Sequence, residues 1–149
     1  MSDVKQKVLS ILDNYKVGTL ATIQNNKPYS RFMMFSHDDL VLYTATNKNA
    51  HKVDDIQSNP YVHILLGYDG QGWNDPYVEI EAKALIEDNK ELKETFWNDH
   101  LKEWINSPDD PNYVLLQLTP ENIRYFEKAG SEPWKSYNPL KSSNKKFLV

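Results

Sequence analysis

The sequence predicts a mainly β protein with inserted helices (α+β), in which six to seven antiparallel strands close wholly or partly into a barrel. Three observations lead there. Runs rich in β-branched and aromatic residues, such as VGTLATIQ and YVEIEAKALIE, recur along the chain. Most are joined by tight polar turns, which suit antiparallel neighbours, and closing such a sheet removes exposed strand edges. Helical periodicity is inserted among the strands without alternating with them, so a doubly wound parallel sheet is not expected.

The elements follow in order. Val4, Val8, Ile11 and Leu12 make an apolar stripe at helical spacing. Residues 17–24 form a strand and Asn25, Asn26, Lys27 and Pro28 a turn. A second strand covers 29–35, His37-Asp38-Asp39 turns, and a third strand covers 40–44. A helix is expected over 47–57, stopped by Ser58-Asn59-Pro60 because proline cannot continue it. Residues 61–67 form the next strand, and a polar loop runs to Pro76. Over 77–87, Val78, Ile80, Ala82 and Ala84 alternate with Glu79, Glu81 and Lys83, as in a strand with one buried face. Asp88 with Glu91 matches a capping box, opening a helix that carries Leu92, Phe96, Trp97, Leu101, Trp104 and Ile105. The run SPDDP ends it. Residues 113–119 and 123–127 read as a last hairpin around Pro120-Glu121-Asn122. The Ser/Asn/Lys-rich end reads as a partly ordered tail over 131–149, leaving one domain over 1–130.

Composition excludes several function classes. A net charge of −4 offers no general basic field, so neither nucleic acid nor an anionic membrane is an expected partner. With no cysteine, disulfides, thiol catalysis and cysteine-ligated metals are ruled out. His37, His51, His63 and His100 are scattered without metal-ligand spacing, and no metal is expected. No apolar run is long enough for a bilayer, and the start MSDVKQKVLSILDNY has no signal-peptide core, so the expected location is cytoplasmic.

Two features point to an anion. Arg31, one of only two arginines, lies in the strand segment YSRFMMF, where a charge needs a partner. The ordinary solution is a carboxylate bridge or a guanidinium that snorkels from a sheet edge; its fork also suits the oxygens of a phosphate. Lys48 and Lys52 lie near the start of the helix expected from Asn47, either on a solvated helix face, where lysine is common, or beside an anion that offsets their repulsion by the helix dipole. Thr44, Thr46 and Asn47 add short polar groups, so these segments together suggest a phosphate cradle.

The run SRFMMF followed by LYTATNKNAHKVDDIQSNPYV resembles the flavin-binding split-barrel family of pyridoxamine 5′-phosphate oxidase. The later FWNDHLKEWINSPDDPNYVLLQLTPENIRYFE is similar to the general stress protein branch of that family. The likeness runs from the first helix to about Gly130. It implies an antiparallel split β-barrel of the FMN-binding type, and a homodimer with the flavin at the subunit interface. Carried over residue by residue, it places Arg31, Phe32, Met33 and Met34 beside the flavin, with Arg31 toward the phosphate. It adds Tyr43 and Thr44 from the next strand, and Lys48 with Lys52 as phosphate ligands. Tyr77 falls near a flavin-contacting glutamine. FMN is the implied cofactor, with FAD, a deazaflavin or haem (on His51 or His63) as alternatives.

Two departures bear on the substrate. Where the oxidase has a substrate-binding lysine, this chain has Phe35, Ser36 and His37. The family's C-terminal Trp-to-Arg clasp is replaced by Ser-Glu-Pro-Trp-Lys, in which Trp134 is the candidate cofactor contact. The implied function is an FMN-binding oxidoreductase of unassigned substrate with a stress-response role. The alternative is a flavin-binding buffer or sensor without turnover. No catalytic residue is singled out.

Overall fold

The computed structural model describes residues 2–70, 75–128, 130 and 135–139. Trp134 lies outside them. Helix α1 spans Ser2–Asn14, and its stripe of Val4, Val8, Ile11 and Leu12 is buried in the main core. Strands β1 (Val17–Gln24) and β2 (Lys27–Met34) form a hairpin, followed by the short β3 (Ser36–Asp38) and by β4 (Val41–Asn47). Helix α2 (His51–Ser58) leads to β5 (Tyr61–Gly67) and β6 (Tyr77–Glu87). Helix α3 (Lys90–Thr95) and a 3₁₀ turn (Asp99–Glu103) precede β7 (Tyr113–Phe126) and β8 (Lys135–Tyr137).

All described pairings are antiparallel, in the order β2-β1-β5-β6-β7-β4-β3, with β8 added to β7. The first and last strands of that order, β2 and β3, are consecutive in the chain and separated only by Phe35. The sheet must therefore curl until its ends meet, and Thr44 Oγ1 donates to the Met34 carbonyl (2.7 Å) across the seam. The pairing of β3 with β4 stops at Tyr43. From Thr44 to Asn47, β4 has β7 on one side and no described strand on the other. That gap is the split in the barrel.

Two cores hold the fold. The first fills the curled sheet beneath α1 and includes Leu20, Leu42, Ile64, Ile80, Leu116 and Ile123. The second lies on the opposite face of β4 and β7, where Tyr43, Tyr113 and Leu115 pack with Ile105 under α3 and the 3₁₀ turn. Burial on both faces explains why β7 reads YVLLQL rather than alternating. Tyr113 is fully buried; its hydroxyl donates to the Lys93 carbonyl (2.7 Å), and burial pushes its pKa up to about 12.

Several elements differ from expectation for identifiable reasons. The first turn is only Asn25-Asn26, both at positive φ (51° and 64°), as a two-residue hairpin requires. Lys27 and Pro28 already belong to β2, an edge strand where the missing proline N–H costs nothing. Residues 36–38 pair as β3, and the turn falls at Asp39-Leu40. The helix expected from Asn47 opens at His51, because β4 runs on to Asn47 in register with Tyr113. Asn89, not Asp88, caps α3 by accepting from the Leu92 N–H (3.0 Å), while Asp88 pairs with Lys93 (2.6 Å). Asn98 caps again, so the expected single helix is broken in two. The expected last hairpin is one 14-residue strand. Glu81 pairs with Asn122 and Ala82 with Pro120, leaving Glu121 as an extra residue in a bulge that accommodates the proline. Strand β8, within the stretch read as a partly ordered tail, pairs with Ile123, Arg124 and Tyr125.

Candidate functional site

The split opens into a cleft of about 600 Å³, within the range of small-molecule sites. One wall is the end of β2, from Arg31 through Met34 to Phe35 and Ser36. The second is the uncovered length of β4 with Ala50 and Lys52. The third comes from Phe96, Asn98, His100, Leu101, Trp104 and Ile105. Tyr43 forms part of the floor, its ring stacked on Phe96 (4.3 Å between centroids, 21° between planes).

The electrostatics of the cleft have one sign. The chain carries 21 Asp and Glu residues, yet among the described residues none lines it, whereas Lys16, Arg31 and Lys52 do. Arg31 and Lys52 are both half-buried, and neither forms an ion pair among the described residues. Among the described residues Lys52 Nζ has one partner, donating to Thr46 Oγ1 at 3.3 Å. Its pKa is held below the usual lysine value, first by burial and then by the charge of Arg31. Burial also lowers the Arg31 pKa, partly offset by Asp55.

Arg31 reaches inward from the edge strand across the face of β1. Its Nη1 donates to the Leu20 carbonyl (3.2 Å) and to Thr22 Oγ1 (2.8 Å). Thr22 Oγ1 in turn donates to Asp55 Oδ2 (3.2 Å), a buried carboxylate on α2. Nε and Nη2 of Arg31 make no hydrogen bond with any described residue. One corner of the guanidinium is thus fixed, and the remaining N–H groups are open to a planar or tetrahedral oxyanion.

The other sequence-predicted residues divide as follows. Phe32, Met33, Met34, Tyr43 and Thr44 line the cleft together with Arg31 and Lys52. Phe32 is 78% exposed, an unusual state for a phenylalanine. Lys48 does not line it. It is exposed in the turn before α2, and its charge falls on Asp110. The Asp110 carboxyl is held below its usual pKa chiefly by the Asn106 and Asn112 N–H groups, with smaller help from Lys93 and Lys48. Tyr77 is on β6, stacked on Phe126 (4.6 Å, 8°) and outside this cleft. His51 is exposed at the start of α2, and His63 lines a separate groove with Glu81 and Glu121. Sequence reasoning missed Lys16, Asn98, His100 and Thr22. Asn98-Asp99, a second capping signal inside the expected helix, could have exposed the third wall. No local signal links Thr22 to Asp55.

The model of a family described as pyridoxamine 5′-phosphate oxidase matches residues 4–127. The chain belongs to that family. It is 50% identical over 131 residues to general stress protein 26 of Bacillus subtilis, covering 88% of this chain and 94% of the relative. The crystal structure of general stress protein 26 from Bacillus anthracis superposes with a TM-score of 0.81 at 41% identity, covering 91% of this chain and 98% of that one. The expected branch of the family and its split-barrel fold are thereby both found. At 19% identity, an FAD-binding protein from Mesorhizobium loti shares the fold (TM-score 0.65, 79% of this chain and 90% of that one).

Proposed function

We propose that the cleft binds FMN, with its phosphate between Arg31 and Lys52 and its ring along Arg31–Met34. The observation that carries this is a pair of half-buried cations that form no ion pair and share a cleft lined by no carboxylate among the described residues, one of them with its fork half open. Leaving such cations without an anion is costly, and a phosphate monoester supplies both charge and acceptors. The apolar remainder of the cleft, with Phe32, Met34, Leu101 and Trp104, suits a large planar ring. The FAD-binding relative by fold lends support to a flavin without deciding between FMN, FAD and a deazaflavin.

When bound, the flavin supplies hydride or electron transfer, and the chain's own residues bind, orient and shield it. On this reading the protein is an oxidoreductase, and the name of its relatives suggests a role in general stress. A second copy of the chain completes the site. Val17, Phe32, Met34 and Leu65 are all exposed on the outer face of β1, β2 and β5, contiguous with the cleft rim. A solvent-exposed patch of this kind marks an interaction surface.

The test is flavin titration with wild type and an Arg31→Ala/Lys52→Ala variant. Tight binding of FMN over riboflavin, lost in the variant while its circular dichroism is unchanged, supports the site. Equal affinity of the variant and wild type for FMN overturns it. Steady oxidation of NADH or NADPH by the flavin-loaded protein separates an oxidoreductase from a flavin buffer or sensor, which would bind without turnover.

A further inference from the structure

We infer that Thr22 and Asp55 form a positioning relay that fixes Arg31 for a phosphate monoester, so that the site's preference for phosphorylated over unphosphorylated ligand is set partly from behind the cleft. The inference rests on the phosphate reading above and adds two residues that never touch the ligand.

The geometry is directional. The Thr22 hydroxyl has one proton and donates it to Asp55 Oδ2 at 3.2 Å. Its lone pair is then turned toward Arg31 Nη1, which donates at 2.8 Å. A free hydroxyl could rotate and present its proton to the guanidinium instead; the buried carboxylate prevents that. The second Nη1 proton goes to the Leu20 carbonyl, an acceptor fixed by the sheet. With both Nη1 protons committed, the plane of the guanidinium is set, and Nε and Nη2 are presented as a fork. Thr22 is 1% exposed and Asp55 6% exposed, so both are buried, and neither lines the cleft.

The placement of charge is equally specific. Asp55 lies three residues after Lys52 on α2, so one helix brings a cation to the cleft and an anion behind it. Asp55 compensates Arg31 through a hydroxyl rather than by direct ion pairing. A direct Asp–Arg bridge would occupy the fork and compete with the ligand; the intervening threonine keeps the charge close and the fork free.

The experiment compares FMN with riboflavin, which lacks the phosphate, by flavin fluorescence on Thr22→Val, Thr22→Ser, Asp55→Ala and Thr22→Val/Asp55→Ala proteins. Thr22→Val is expected to reduce the FMN-over-riboflavin preference about tenfold, the loss of one well-placed hydrogen bond, with riboflavin affinity unchanged. Thr22→Ser should retain the preference. Asp55→Ala should lose it to a similar extent, and the double variant no further, because residues acting in series are not additive. A Thr22→Val protein that keeps the preference, or loses FMN and riboflavin alike, overturns the relay, as do additive losses. If Asp55→Ala fails to fold, the Val and Ser variants decide the matter. A wild type that binds flavin without preferring FMN overturns the phosphate reading itself, and the relay with it.

Discussion

Replacing Lys52 with methionine should stabilise the protein and weaken its ligand binding at the same time. Methionine keeps the apolar stem and removes the ammonium. In the ligand-free protein that ammonium is half-buried, has a single 3.3 Å contact to Thr46, and faces the charge of Arg31. Relieving this like-charge contact should be worth about 0.5–1 kcal/mol, the scale of partly screened charge interactions. For a chain of this length, that raises the melting temperature by about 1–4 °C. The same ammonium would be one of two groups neutralising the phosphate. Losing a charge-assisted hydrogen bond costs about 1.5–3 kcal/mol, or about 10- to 100-fold in FMN affinity. The pH dependence has a definite sign. Because the folded state lowers the Lys52 pKa below its ordinary 10.5, the unfolded chain binds more protons, and stability from this group rises as pH climbs toward that value. Lys52→Met should lack that rise. Thermal melts without ligand and FMN titrations give both quantities. A variant that melts lower and binds FMN as tightly as wild type would show that Lys52 is a structural lysine with no part in ligand binding.

Two further predictions concern the scaffold. A Cβ at Gly18 would lie 2.5 Å from the Leu65 carbonyl, 2.7 Å from Leu66 Cδ1 and 3.3 Å from Phe35 Cε2. Gly18→Ala should cost about 1–3 kcal/mol, measured by denaturant unfolding, because the β5 backbone cannot yield without disturbing the β1–β5 pairing. Unchanged stability would mean the two strands are less constrained than their register implies. Tyr113 keeps its proton to about pH 12 when folded and loses it near 10.0 when unfolded, so stability should fall as pH rises between those values. Tyr113→Phe should flatten that fall while costing about 1 kcal/mol at neutral pH for the lost bond to the Lys93 carbonyl; an identical alkaline slope would assign it to other groups.

Much of this was legible in the sequence because it is local. The α1 stripe, the limits of β1, β5 and β6, and the alternation of Val78 through Ala84 follow from periodicity alone. The failures share a cause. Strand pairing partners carried β4 on to Asn47 and held β7 together through Pro120, overriding helix and turn signals that were present in the residues. Both cations of the proposed cradle are visible in the sequence as well: Arg31 as one of two arginines, and Lys52 by its spacing. Their mutual approach depends on the curl of the sheet. The Thr22–Asp55 contact joins residues 33 apart and has no local signature. In a helix opening at Asn47, Lys48 and Lys52 are equivalent; with α2 opening at His51, Lys52 lines the cleft and Lys48 does not.

We propose a flavin site in the cationic cleft at the split of the barrel. Its most direct test is the visible absorption spectrum of the purified protein, before and after adding FMN and desalting. The expected result is a retained flavin spectrum, approaching one flavin per chain, that disappears in the Arg31→Ala/Lys52→Ala variant. A colourless wild-type protein that releases all added FMN on desalting would contradict it, and would leave Arg31 and Lys52 to hold some other anion.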